Sequence, residues 1–273
     1  MRSPPHKGRS ERTRLTGFKQ VDALQGLRSL TAGSVQCIVT SPPYNKGSAH
    51  NDGRGTYQAY HRSVPYVGFE DKKPEEEYQA EQVALLEECA RVLAPGGSVF
   101  YNHKDRHKNF VLTSPHDWLS KVQGLQLRQV ILWDRQAVHN FNTHFFFPVT
   151  EYIYWLTKKG AGAEVQFDRG AVPPAFRSTV WRMRPARDPL HPVPFPEELV
   201  EACVGATTKP GDLVVDPYCG SRTVLRVAER MGRRALGFDI VDYHSKQEVA
   251  GAEEREPRAS TTRRRPRTDR GAA

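Results

Sequence analysis

Residues 212–239 read as a strand, a glycine-containing turn, a helix and a second strand ending in an acid, and no other feature narrows the fold as much. Leu213-Val214-Val215-Asp216 is a short apolar run, and Pro217-Tyr218-Cys219-Gly220-Ser221-Arg222 breaks it. Residues 223–231 then have helical character, and 235–239 are apolar up to the closing Asp239. This is the order of a nucleotide-binding unit, in which glycine lets the backbone approach a ligand and the acid accepts from both ribose hydroxyls. A plain strand-end turn also uses such an acid.

The rest of the chain alternates in the same way, which favours an α/β fold with a mostly parallel sheet and helices on both faces. A short helix fits 22–30, and the apolar run Val35-Gln36-Cys37-Ile38-Val39 is the first strong strand. After a polar loop over 45–73, residues 75–93 have a helical face of Leu86, Ala90 and Leu93, with Leu85, Cys89 and Val92 beside it. Ala94-Pro95-Gly96-Gly97 stops that helix, and a strand restarts over 98–101. Residues 127–133 and 152–156 are two apolar strands that can pair as an antiparallel hairpin, and a later helix fits 196–204. No internal repeat is present.

The second chemical feature is Thr40-Ser41-Pro42-Pro43-Tyr44-Asn45, which directly follows the first strand. Ser41 offers an oxygen acceptor, and Pro43 biases Pro42 toward an extended backbone that can aim the Pro42 carbonyl outward. Two such acceptors can take both hydrogens of one amino group, while the Tyr44 ring lies against a planar base. Pro-Pro is also a common breaker, so an ordinary turn would look alike. Asn102-His103-Lys104-Asp105, after another strand, can border the same pocket. The aromatics of 140–148 can either surround a base or belong to the core.

A chain of 273 residues with a formal net charge of +9 can bury one large core and favours a polyanionic partner. Residues 1–14 and 245–273 are basic, polar tails expected to be disordered, the latter carrying Arg263-Arg264-Arg265-Pro266-Arg267; a single domain is expected over 15–244. No stretch has the length and apolarity of a membrane span, and the first residues lack a secretory signal. Cys37, Cys89, Cys203 and Cys219 have no metal-ligand spacing and read as buried thiols in a reducing cytoplasm. No metal is expected.

Ser41-Pro42-Pro43-Tyr44 resembles the catalytic motif of the DNA amino-methyltransferases, which is Asp, Asn or Ser followed by Pro-Pro and an aromatic residue. Asp216-Pro217-Tyr218-Cys219-Gly220-Ser221 resembles their cofactor motif, and the segment leading to Phe195 and Pro196 resembles the one that folds over the methionine end of S-adenosylmethionine. The resemblance implies a Rossmann-like S-adenosylmethionine-dependent methyltransferase fold. In it Asp22 lies near the adenine amino group, Asp216 and Gly220 flank the methionine portion, Asp239 holds the ribose, and Tyr218, Ser221 and Phe195 complete the cofactor site. It spans about residues 20–244. One position departs: the family's second glycine is Arg222 here, which either crowds the cofactor or points outward, the latter being the reading preferred.

The catalytic motif precedes the cofactor motif, an order that marks the permuted beta class of the family. Residues 160–189 then fall where a short target-recognition segment is expected, with Arg169, Arg177, Arg182, Arg184 and Arg187 suited to phosphate and guanine contacts. A solvated basic loop has the same composition. By resemblance, Ser before Pro-Pro-Tyr goes with cytosine N4; the partners expected are double-stranded DNA and a restriction endonuclease acting on the same site, with the enzyme a monomer or homodimer. Adenine N6, RNA and a catalytically degenerate DNA-binding protein are the alternatives. Thiolate chemistry at cytosine C5 is disfavoured because the chain has no Pro-Cys pair.

Overall fold

The computed structural model describes residues 17–45, 72–108, 110–136, 144–188 and 194–245. Residues 1–14 of the first tail, 246–273 of the second, most of the loop over 45–73, residues 140–143 of the aromatic segment and residues 191–193 lie outside them.

The strands that form the main sheet are β1 (Gly17–Gln20), β2 (Val35–Thr40), β3 (Leu93–His103), β6 (Leu125–Asp134), β7 (Thr150–Lys158), β8 (Val180–Arg182), β9 (Leu213–Asp216) and β10 (Arg234–Asp239). Their order across the sheet is β1-β10-β9-β2-β3-β7-β6-β8. From β1 to β3 all neighbours are parallel, β7 is antiparallel to both β3 and β6, and β8 is parallel to β6. Thus β7 is the reversed strand, and the expected antiparallel hairpin is β6–β7. A small separate hairpin joins β4 (Arg106–Lys108) to β5 (Val111–Thr113).

Helices cover both faces. α4 (Glu197–Thr207) and α5 (Thr223–Arg230) pack Leu199, Val200, Cys203, Val224 and Val227 onto one face, against Cys37, Val39, Phe100 and Val214. α1 (Ala23–Arg28), α2 (Glu75–Val92) and α3 (His116–Leu119) pack Leu27, Leu85, Leu86 and Trp118 onto the other, against Ile38, Val99, Tyr101 and Val215. Successive residues of β2 alternate between the two cores, as the pleat requires, and a strand buried on both faces reads as one continuous apolar run. Truncating a side chain such as Leu86, fully buried here, typically costs about 2–5 kcal/mol.

The acids Glu75, Glu76 and Glu77 in its first turn suit the positive end of α2. The helix ends because Leu93 is extended and Pro95 disfavours helical backbone at Ala94. The strand then starts at Leu93, five residues before the expected restart at Ser98, through a register shift: Val35 pairs Leu93, while Cys37 already pairs Ser98. Gly96 makes this possible, with φ +72° and its Cα so close to the Glu164 carbonyl that a Cβ would lie 2.4 Å from that oxygen.

No helix among the described residues is long and apolar enough to cross a membrane.

Candidate active site

Both sequence motifs leave the sheet at the same end. Ser41-Pro42-Pro43-Tyr44 follows β2, Pro217 to Ser221 follow β9, Asp239 ends β10 and Asp22 follows β1. Strands β2 and β9 are neighbours, and beyond them the chain order runs outward in opposite directions, so this is the switch point at which open α/β sheets hold ligands. The Thr40 hydroxyl donates to Asp216 Oδ1 at 2.9 Å, tying the two motifs together across that line. Burial pushes the Asp216 carboxyl up to about 7, opposed by hydrogen bonds from the Tyr218 N–H and from Thr40.

On the β2 side, Ser41 belongs to a polar cluster. Tyr44 donates to Glu151 Oε2 at 2.9 Å, and the Ser41 hydroxyl lies 2.9 Å from the Tyr44 oxygen. Asn102 Nδ2 donates to the Tyr44 oxygen at 2.5 Å, to Glu151 Oε2 at 3.0 Å and, weakly, to Ser41 at 3.5 Å. Arg135 donates to Glu151 Oε1 at 2.6 Å. Glu151 is only 3% exposed, so this ion pair is held away from water. A carboxylate only accepts. Tyr44 therefore spends its hydrogen on Glu151 and receives that of Ser41, which leaves lone pairs on the Ser41 oxygen to accept from a ligand.

The Pro-Pro turn is fixed from behind. The Tyr78 hydroxyl donates to the Pro43 carbonyl at 2.8 Å and lies 2.7 Å from His103 Nε2. None of the described residues donates to the Pro42 carbonyl. The half-buried Tyr44 ring leans on the His103 ring, centroids 4.4 Å apart and planes at 41°.

On the β9 side, Asp239 accepts from the Gly220 N–H at 2.9 Å and the Val241 N–H at 3.0 Å. Burial raises its pKa despite these bonds. Each of its oxygens keeps a further lone pair for a ligand hydroxyl. Gly237 sits beneath the turn, where a Cβ would come within 2.7 Å of Cys219 Cβ. Asp22 caps α1, its Oδ1 accepting from the Leu24 and Gln25 N–H groups at 2.9 and 3.2 Å. The hydroxyls of Ser221 and Thr223 bond each other at 3.0 Å. Tyr218 is half-buried in the turn, and Phe195 packs against the α4–α5 core.

Arg222 does not point outward as preferred from sequence. It folds back, its guanidinium 4.0 Å from the centroid of the Phe18 ring and paired with Asp242. With φ +58° it holds a left-handed conformation that suits the glycine of the family pattern and costs a non-glycine residue roughly 1–2 kcal/mol. The cation–π contact and ion pair offset that cost.

The arginines of the 160–189 segment separate. Arg182, on β8, pairs with Asp134 at the end of β6, on the same side of the sheet as Ser41; Arg184 follows it, and both are exposed. Arg169 lies at the opposite end: the Asp168 N–H donates to Ala206 O in the last turn of α4, and the Gln166 N–H to Gly96 O near the start of β3. Arg177 donates through Nε to the Val172 carbonyl at 3.0 Å. Of the aromatic segment, Phe145 stacks on Phe110 while Phe146 and Phe147 are exposed, so none of the three fills the core.

Sequence reasoning missed Glu151 and Arg135. Their signal was a charge at each end of a loop between two apolar strands, and pairing those strands brings the ends together: Asp134 faces Thr150, and the Arg135 N–H donates to Val149 O.

Comparison with known proteins gives this geometry its family. The DNA methylase family model (N6_N4_Mtase) matches residues 35–249, which take in β2 with its Pro-Pro turn and β9 with its glycine turn. The chain belongs to the DNA methylase family. This DNA methylase is 28% identical over 252 residues to the type II methyltransferase M.BglII of Bacillus subtilis, covering 80% of the chain and 64% of M.BglII, so it spans less than two thirds of that relative. It is 29% identical over 280 residues to the type II methyltransferase M.Cfr9I of Citrobacter freundii, covering 85% and 86% of the two chains. Among solved structures, the cytosine-N4-specific PvuII DNA methyltransferase superposes with TM-score 0.64 at 19% identity, covering 86% and 91%. TTHA0409 of Thermus thermophilus, solved with S-adenosyl-L-methionine, gives TM-score 0.62 at 25% identity, covering 89% and 96%. The fold is thus the Rossmann-like fold of the S-adenosylmethionine-dependent methyltransferases.

Proposed function

We propose that the chain transfers a methyl group from S-adenosylmethionine to the exocyclic N4 of a cytosine flipped out of double-stranded DNA. The observation that carries this reading is the orientation of Ser41: its hydrogen is committed to Tyr44 because Tyr44 is committed to Glu151, so its oxygen faces a ligand as an acceptor. An exocyclic amine is a poor nucleophile because its lone pair is delocalised into the ring. Hydrogen bonds that the amine donates to Ser41 and the Pro42 carbonyl pull both N–H groups out of the ring plane and free that lone pair. Positioning and electrostatics then supply the rate.

The residues on the β9 side fit the cofactor. The spare lone pairs of Asp239 suit a ribose diol beside the Gly220 turn, with Asp22 on the adenine side and Asp216, Tyr218, Ser221 and Phe195 around the methionine portion. When bound, S-adenosylmethionine supplies an electrophilic methyl group. The thiols are not nucleophiles in this reading: Cys37, Cys89, Cys203 and Cys219 are free and buried, and burial pushes the Cys37 thiol up to about 12. Arg182 and Arg184 contact DNA phosphates or bases, the former on β8 at the catalytic side of the sheet and the latter just beyond it; Arg169 does not share that side, and Arg177 is held by the Val172 carbonyl. A single catalytic domain over 15–244 between basic tails and a restriction endonuclease of matching site complete the proposal.

The test is incubation of the purified protein with plasmid DNA and methyl-labelled S-adenosylmethionine, followed by nucleoside mass spectrometry. N4-methyldeoxycytidine is expected. N6-methyldeoxyadenosine would overturn the choice of base, and no methylated nucleoside together with no cofactor binding would overturn the enzymatic reading in favour of a degenerate site at Arg222.

A further inference from the structure

We propose that Tyr44 and Glu151 form a proton path that removes the amine's hydrogen from Ser41 as the methyl group is transferred. The proposal rests on the amino-methyl transfer proposed above and adds the groups that receive its proton.

The hydroxyls already stand in the required order. Ser41 donates toward Tyr44 across 2.9 Å, and Tyr44 donates to Glu151 Oε2 across 2.9 Å. As the nitrogen lone pair forms the bond to the methyl carbon, the electrons of the carbon–sulfur bond leave with sulfur and the nitrogen becomes cationic. One N–H proton then moves to Ser41 Oγ, the Ser41 proton to the Tyr44 oxygen, and the Tyr44 proton to Glu151 Oε2. The nitrogen and the carboxylate end neutral, and both hydroxyls are regenerated. After product leaves, the proton returns along the same hydroxyls to water, since Arg135, 2.6 Å from Glu151 Oε1, favours the ionised acid.

Among the described residues, Glu151 is met from separate elements by Arg135 after β6, Tyr44 after β2 and Asn102 on β3. Asn102 bridges Tyr44 and Glu151 with its Nδ2, which holds the path at fixed length. Its Oδ1 is buried and has no hydrogen-bond partner among the described residues. A buried, paired carboxylate two hydroxyls from the reacting atom is a poor choice for stability alone, because replacing such ion pairs by apolar groups is often neutral or stabilising.

The test is single-turnover methyl transfer to DNA as a function of pH, with Glu151→Gln and Tyr44→Phe variants beside the wild type. Glutamine can accept from Tyr44 but cannot take its proton, and phenylalanine breaks the path while leaving the Glu151–Arg135 pair. Each variant is expected to lose about 100-fold or more in rate, the usual scale of general acid–base catalysis, and to lose one acidic limb of the pH profile. Binding of S-adenosylmethionine and DNA should change less than about threefold, since neither variant alters the cofactor side. Asp216 titrates in all the proteins and so cancels in the comparison. Wild-type rate and profile in either variant would overturn the path. Weakened binding with the limb retained would also overturn it, leaving Glu151 a structural residue. Should Glu151→Gln not fold, as a melting curve reports, Tyr44→Phe decides alone. A wild-type protein that methylates no amine would instead defeat the function proposed above.

Discussion

Thr40 donates a hydrogen bond to Asp216, so the residue before Ser41 and the first acid of the glycine turn are locked to each other inside the sheet. Any movement of the cofactor turn is therefore felt at Ser41 through one short contact, and the contact depends on the protonation of a buried acid.

Burial raises the Asp216 carboxyl from an ordinary 3.8 to about 7, so between those values the folded protein holds a proton that the unfolded chain has released. Its contribution to stability is fully present below about pH 4 and is lost as pH rises through 7, on the order of 4 kcal/mol at most. Asp216→Asn removes this dependence. Urea unfolding of the two proteins at pH 5 and pH 8 should show wild type losing more stability over that interval than the variant; equal losses would rule out the shift.

Ser41→Ala removes the acceptor without disturbing the glycine turn. Turnover should fall by roughly 100-fold or more, the scale of removing one hydrogen bond to a developing charge, with S-adenosylmethionine affinity nearly unchanged. Steady-state kinetics and calorimetric titration together check this, and a fully active variant would remove Ser41 from the mechanism.

Asp239 accepts from the Gly220 and Val241 N–H groups, and in the function proposed above it also holds the ribose. Asp239→Ala should weaken cofactor binding and also destabilise the apo protein by about 1–3 kcal/mol through the amides it leaves unpaired. Asp239→Asn, which can still accept from backbone, should separate the effects. Unchanged cofactor affinity in both would take Asp239 out of the ribose site.

Arg182 and Arg184 share the catalytic side of the sheet with Ser41, and Arg169 does not. Replacing either of the first two with Ala should weaken DNA binding, and for a phosphate contact the log–log salt slope should drop by roughly one. Arg169→Ala should leave both unchanged. Filter binding at several salt concentrations measures this, and an equal loss for Arg169 would refute the separation.

Much of this was legible because buried parallel strands announce themselves: β2, β9 and β10 are mostly apolar and end in residues with turn or ligand chemistry. The edges were not. β1 carries one aromatic, Phe18, among polar residues, and β8 is Val180-Trp181-Arg182 inside a segment without periodicity; short edge strands have one neighbour and need little apolar pattern. The hairpin was read correctly, yet the ion pair at its open end was not, because Glu151 and Arg135 are ordinary residues until the strand register puts them face to face. Arg222 was misread because its partners, Phe18 and Asp242, lie far from it in sequence.

The reversed direction of β7 gives the hairpin a second meaning. Every other strand of the sheet brings its last residues to the end at which Ser41 lies, whereas β7 brings its first, so Arg135 after β6 and Glu151 on β7 meet beside Tyr44. Their ion pair clasps the open end of the hairpin, where the two strands part. Substitutions between the two strands therefore need not move Glu151 away from Tyr44.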